Sequence, residues 1–434
     1  MKNIVKKISF ALTAMLITSI FAGCQTATEP TQATESTKKN ESVQSEEISY
    51  LVKLIPQEKS DISDPVASGM NQYAFDVMKD LYDNKNMTIS SVSLELALLM
   101  TASGAQGETR EEMLNALRMS GFTDEEILAG AKQLMWRANQ NGLHAANSIF
   151  VQKDFGLQQS FLDILSNTFM AGAFEEDFIN KGDVATQDIN QWADENTNGK
   201  IPELVGDKLP EDTRLVLVNT LYFLGKWAQP FKAENTYDQA FHGTEGETEV
   251  PFMHDKLTID YYEGDTFQYI ALPFKGVDDE TTKPLAMSFI LPNEGVTIED
   301  VFAEVEEIGF SEIIAASKQE EVEVSLPKFE FDFETSMVDT MKNLGMNLAF
   351  DGADFSAMTT DPVDLVISDI IHKTYIKIDE EGAEAAAATA VVVGLTAVAD
   401  PGSIKIFTAD RPFLFSIYDT DDSVIMFSGV VATI

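Results

Sequence analysis

Cysteine is all but missing from this chain: Cys24 is the single one in 434 residues. No internal disulfide can form, and no cysteine-rich metal site can assemble. Basic side chains are scarce too, 30 Lys plus Arg against 71 Asp plus Glu, for a formal charge of −41. A chain this acidic repels phosphate backbones, which excludes a nucleic-acid partner; solubility is the plainest use of the charge. Histidine occurs four times, as His144, His242, His254 and His372, too scattered to suggest a catalytic or metal cluster. There is no G-x-S-x-G, no H-E-x-x-H, no P-loop and no G-x-G-x-x-G. Residues 419–423, DTDDS, lack the glycine and distal glutamate of an EF-hand and read as a solvated turn. No catalytic residue, no metal and no cofactor are therefore expected.

The chain opens with Lys2, Lys6 and Lys7, an apolar stretch from Ile8 to Ala22 too short for a comfortable membrane span, and Phe21-Ala22-Gly23-Cys24. This resembles a bacterial lipoprotein signal, with Cys24 lipidated as the mature N-terminus; an ordinary cleaved signal with a chance cysteine is the alternative. The next stretch, QTATEPTQATESTKKNESVQSEE, has almost nothing apolar to bury and cannot offset its ordering entropy. The expected division is a signal over 1–23, a flexible tether over 24–60 and a folded domain over 61–434. The expected location is extracytoplasmic: lipid-anchored at a bacterial cell surface or outer membrane, or released from it.

With 44% hydrophobic residues the remainder can bury a substantial core. Asp64-Pro65 reads as an N-cap followed by proline at the first helical position, and Val66, Met70, Tyr73, Val77 and Leu81 recur at helical spacing. Further helices are expected over 92–103, 108–117 and 124–139. The pattern then turns to β-branched and aromatic runs, with strands expected over 215–223, 268–273, 287–291, 321–331, 374–378 and in two C-terminal stretches. No repeat recurs at a fixed period, so the fold class is α+β in one large domain.

Residues 379–399, DEEGAEAAAATAVVVGLTAVA, stand apart. The alanine run favours a helix, yet Ala383, Ala385, Ala387, Thr389, Val391 and Val393 are all small or apolar and share one face if the segment is extended. The segment can thus exist as an exposed loop or as a strand buried on one side.

Several motifs in order carry a resemblance to one family. They are FTADRPFLFSI at 407–417, LVNTLYFLGKWAQPF at 217–231 and IIHKTYIKIDEEG at 370–382, with shorter matches at 104–109, 147–150, 189–201 and 326–328. Together with the alanine-rich segment they resemble the serpins, from about residue 62 to the C-terminus. The resemblance implies an α+β fold of about nine helices and three β-sheets, with an exposed reactive-centre loop and a gap in the largest sheet. It also implies site residues. Glu380, Glu381, Gly382, Ala383, Glu384, Ala385, Ala386, Ala387, Ala388 and Thr389 correspond to the hinge. Ser90, Ser93, Asn219 and His372 correspond to the shutter, with Ser91 where a proline is usual. Trp227, Lys328 and Glu380 correspond to the breach, where insertion begins.

The implied activity is inhibition of a serine protease by loop cleavage, a covalent acyl complex and strand insertion, by a monomer that is not an enzyme. The family spacing puts the scissile bond at Thr396-Ala397, with Val393, Leu395 and Val398 as alternatives. All are small or aliphatic, which implies elastase-like or subtilisin-like targets. Residues 108–126 are acidic where a heparin-binding relative would be basic, so no heparin partner is expected. The alternative is a non-inhibitory member acting as a surface binding module; against it, the inward-facing hinge positions carry neither charge nor proline.

Overall fold

The computed structural model describes residues 62–206, 209, 213–276, 283–360, 365–367, 369–383 and 404–434. These hold nine α-helices and three hydrogen-bonded sheets, the α+β architecture the resemblance implies. All lie within one unit, 46–434.

Eight strands of the C-terminal half and Met87–Ile89 build a nine-stranded sheet. Its centre is formed by Leu285–Pro292, Phe413–Asp419 and Ile425–Val431, buried at every position. Strands covered on both faces read as continuous apolar runs, which is why the sequence marks them clearly. The helix Ser91–Ala102 is buried everywhere except Ala97; apolar all round, it can only be an internal helix.

The other strands form two smaller sheets. One has the order Gly172–Glu176, Leu143–Gln152, Leu215–Phe223; the other has Phe329–Ser336, Ile371–Asp379, Gly382–Ala383, Gly225–Lys226. On Phe329–Ser336 the phenylalanines alternate with Glu330, Asp332 and Glu334. Cross-strand Lys377 and Lys373 pair with Glu330 and Glu334 at 3.2 and 3.0 Å. The helix Phe178–Asn196 has its own small core on the three-stranded sheet. There Phe150 stacks on Phe174 (centroids 4.9 Å apart) and meets Trp192 edge-on.

Three local expectations need correction. The first helix is Asp64–Leu81 with Ser63 as N-cap, one residue earlier than the aspartate-proline pair suggests. The run 321–331 is two strands, Lys318–Pro327 and Phe329–Ser336, which leave Lys328 at the break and enter different sheets. Period-2 patterning carries straight through such a sheet change. The run DTDDS is not a solvated turn. Asp419 is 2% exposed and pairs at 2.7 Å with Arg137, itself 1% exposed; Asp422 and Asp421 reach the same guanidinium at 2.6 and 3.4 Å. Burial pushes the carboxyls of Asp419 and Asp422 up despite that pairing. The basic partner is 282 residues away in sequence from Asp419, beyond any local pattern.

Candidate functional site at the divided sheet

The two smaller sheets face each other across a gap, and the hinge lies at its upper end. The strand Ile371–Asp379 turns at Glu380 and Glu381 and returns as Gly382–Ala383. Ala383 sits opposite Ile378 on one edge and Gly225 on the other; Gly382 sits opposite Asp379 and Lys226. Two residues thus close the gap from both sides. Gly382 has φ +144°, and a Cβ there would stand 2.0 Å from the carbonyl oxygen of Gly225, so only glycine fits. Ala383 is 4% exposed.

Trp227 ties this turn down. Its backbone N–H donates to the Glu381 carbonyl at 2.9 Å, and its indole Nε1 donates to the Asp379 carbonyl at 3.0 Å. Its ring lies flat on Phe274, centroids 4.6 Å apart. The Phe231 N–H donates to the Glu380 carbonyl at 2.9 Å. Lys328 Nζ and Thr236 Oγ1 each donate to the Glu380 carboxylate at 2.8 Å. Burial pushes that carboxyl up, but the bonds from Lys328 and Thr236 outweigh it and hold it below its usual value. Trp227, Lys328 and Glu380 therefore come together as one cluster.

Lower down, no strand among the described residues bridges the gap. Leu217 and Asn219 on one edge face Ile370 and His372 on the other, above Ser93, Leu94 and Leu98, around a cleft of about 50 Å³. The Ser90 N–H donates to His372 Nε2 at 3.1 Å, and Ser90 Oγ caps the helix by accepting from the Ser93 N–H at 3.2 Å. Burial drops the His372 pKa to about 4, so the ring is neutral with its proton on Nδ1. Asn219 Nδ2 donates to Asn147 Oδ1, and Asn147 Nδ2 donates to the Phe169 carbonyl at 3.0 Å. Two buried atoms of this cluster, Asn219 Oδ1 and Ser93 Oγ, have no hydrogen-bond partner among the described residues. Ser90, Ser93, Asn219 and His372 are thus neighbours. Ser91 does not leave the turn loose: its hydroxyl donates to the Ile425 carbonyl at 2.8 Å.

Cys24, the rest of the hinge (Glu384 through Thr389) and Val393, Leu395, Thr396, Ala397 and Val398 lie outside the described residues. Asn147, at the start of the stretch 147–150, joins this cluster as well; its place shows only in the pairing with Asn219. Glu95 was missed. It is 1% exposed on the internal helix, its Oε1 has no partner, and burial pushes its carboxyl well above the usual range. A glutamate among leucines was the available signal.

No group of three or more His, Cys, Asp or Glu side chains among the described residues could hold a metal ion. His254 Nδ1 lies 2.8 Å from Ser325 Oγ, but its Nε2 has no partner, so no carboxylate orients the ring as a triad requires.

Residues 68–434 match the family model for Serpin (serine protease inhibitor). An uncharacterised serpin-like protein of Thermococcus kodakarensis is 35% identical over 370 residues, covering 84% of this chain and 85% of that protein. Serpin B6 of Pongo abelii is 35% identical over 381 residues, covering 84% and 98%. The crystal structure of tengpin, a thermophilic serpin in its native state, superposes with a TM-score of 0.78 at 28% identity, covering 89% of this chain and all of that one. The chain belongs to the serpin family, whose members are in general protease inhibitors rather than enzymes.

Proposed function

We propose that this serpin is a suicide-substrate inhibitor of a serine protease with a shallow apolar specificity pocket, elastase-like or subtilisin-like. The observation that carries the reading is the placement of Gly382–Ala383, hydrogen-bonded to both edges of the divided sheet. A short strand lies there between the two edges, and among the described residues nothing fills the gap below it.

The chemistry belongs to the protease. Its serine Oγ attacks the carbonyl carbon of Thr396, the bond to the Ala397 nitrogen breaks, and that nitrogen leaves with a proton as a free amine. The product is an ester linking Thr396 to the protease. The freed segment then runs down the gap as a strand, spanning roughly 40 Å over 383–395 at about 3.3 Å per residue. A dozen new ladder bonds at about 0.5–1.5 kcal/mol each give on the order of ten kcal/mol, enough to distort an attached protease before water cleaves the ester. Lys and Arg are absent from 380–404, so a trypsin-like pocket has nothing to grip.

The inhibitor would be displayed on a lipid anchor at Cys24, its tether holding it clear of a bacterial surface. Incubation with a panel of serine proteases tests the reading. The expected result is an SDS-stable complex with elastase or subtilisin, releasing a C-terminal peptide that begins within 394–399. Clean turnover of the loop by every protease, with no complex, would instead favour a non-inhibitory binding module. Labelling of cells with a radioactive fatty acid, lost in C24A, tests the anchor.

A further inference from the structure

Four neighbouring strands of the nine-stranded sheet present a face to water: Thr236–Gly243, Gly246–Glu263, Lys318–Pro327 and, at the edge, Lys405–Thr408. On their inner side Phe407, Val324, Val322 and Leu257 are buried. Side chains alternate along a strand, so Ile406, Glu323 and Lys256, opposite one another in register, share the outer side. Ile404 stands on it two residues earlier. The two most exposed large apolar side chains among the described residues, Ile406 at 61% and Tyr237 at 58%, both belong to this sheet, and Ile404 is 43% exposed. The Tyr237 ring lies flat on His254, centroids 4.0 Å apart, and His254, two residues from Lys256, is on the same side.

Scattered exposed apolar residues are ordinary, but paired isoleucines on the outermost strand of a sheet are not. Such an edge invites association, and charge or cover normally guards it. The charges here leave one acid free. Lys256 pairs with Glu321, and Gln319 donates to Asp260 at 2.6 Å. Glu323, exposed between Ile406 and Lys256, has no ion pair among the described residues. Tyr237, held flat, gives up little conformational freedom on contact. The face thus offers aliphatic surface, an aromatic ring and an unpaired carboxylate. Its place in the chain names the occupant. Thr396, in the scissile bond proposed above, precedes Ile404 by eight residues, which span at most roughly 29 Å when fully extended. A protease of about 250 residues has a radius of gyration of roughly 18 Å and is about 45 Å across. Seated on that bond, it is broad enough to reach the isoleucines.

We infer that this face is a second contact surface for the target protease: Ile404 and Ile406 seat an apolar patch beside the protease's cleft, and Glu323 pairs with a basic side chain next to that patch. This rests on the inhibitory reading above and adds to it the chemistry of the partner. The residues at the scissile bond select the pocket. The sheet face then selects, among proteases that share the pocket, one whose rim is apolar and basic. The contact forms on encounter, before any bond is cleaved. It therefore sets the rate of association and leaves the partition between trapping and release unchanged.

The test uses the full chain, as wild type, I404T/I406T, E323Q and E323K, against each protease of the panel that forms a complex. Threonine keeps the β-branched shape, so all four proteins should melt together. For at least one protease, I404T/I406T should lower the second-order association rate about ten-fold, with the ratio of cleaved inhibitor to complex unchanged. E323K should lower the same rate about ten-fold in about 50 mM salt and less in about 0.5 M, with E323Q between it and wild type. Wild-type rates for either I404T/I406T or E323K, against every protease that is trapped, overturn the assignment while leaving inhibition intact. A changed ratio of cleaved inhibitor to complex overturns it too, by placing the effect on the reactive segment. So does a wild type that sediments as a dimer and becomes monomeric in I404T/I406T, which would give the face to a second copy. If no protease forms a complex, the inhibitory reading fails first and this one falls with it.

Discussion

The two ends of the gap are built from the same two strand edges, yet they hold their polar groups in opposite ways. At the upper end each carbonyl from Asp379 to Glu381 is matched by a donor from Trp227 or Phe231, and the Glu380 carboxylate is held by both Lys328 and Thr236. At the lower end Asn219 Oδ1 and Ser93 Oγ are buried without partners among the described residues, beside a small cleft. One end is a finished sheet two residues long, and the other is an unfinished one. On the inhibitory reading proposed above, the contrast would give insertion a direction, because a strand that starts where groups are satisfied gains by reaching the place where they are not.

The largest effect should come from spoiling the finished end. Ala383→Arg forces a guanidinium between Ile378 and Gly225, at a position 4% exposed, with no carboxylate opposite. The cost is several kcal/mol, so the strand should fail to start and a trapped protease should become a released one. The ratio of cleaved inhibitor to SDS-stable complex measures this, and an unchanged ratio breaks the link between hinge and trapping.

The unfinished end should be the acid-sensitive one. His372 is neutral in the native state with a pKa of about 4, against 6.5 when unfolded. Between those values the unfolded chain binds the extra proton, so native stability is complete above pH 6.5 and declines as pH falls toward 4. The loss is about 3 kcal/mol in total. His372→Gln should flatten this stretch of the curve of melting temperature against pH. The same acid slope in that variant would show that His372 does not set it.

Glu95 acts with the opposite sign. Its carboxyl is held protonated above its unfolded value, so it lowers stability as pH rises above about 4.5. Glu95→Gln removes that dependence and should stabilise the protein more at pH 8 than at pH 4. Urea titrations at both values read the difference, and equal shifts at the two would contradict it. The smallest effect is expected at the partly buried ion pair of the finished end. Glu380→Lys sets two cations together, worth about 1 kcal/mol near a surface, and should lower the melting temperature by roughly 3 °C or less. Polymers forming on mild heating would mark the hinge as released; a variant as heat-stable as wild type would show that the backbone bonds from Trp227 and Phe231 suffice.

Much of this could be read from the chain, and the reason is local chemistry. Buried strands such as 285–292 and 425–431 are apolar at every position and need no partner to be recognised. The hinge was legible because small residues at period two, next to acidic ones, are rare in a chain otherwise rich in large apolar side chains. The motif order identified the family, and with it came Trp227, Lys328, Glu380, Ser90, Ser93, Asn219 and His372 as residues to watch. Two of the three misreadings depended on a distant partner. Asp419 through Asp422 look solvated until Arg137 is set beside them. Lys328 looks like the middle of a strand until the two halves enter different sheets.

By itself, then, the sequence determined which segments are buried, which one can be either loop or strand, and that the chain carries no catalytic motif; these follow from side-chain size, charge and period along a few residues. The tertiary structure alone decided that Gly382–Ala383 is already paired on both edges, that the Ser91 hydroxyl bonds to the Ile425 carbonyl, and that Asn219 Oδ1 has no partner among the described residues. Hydrogen-bond satisfaction is a property of groups brought together from opposite ends of a chain, and no local pattern encodes whether the last donor has arrived.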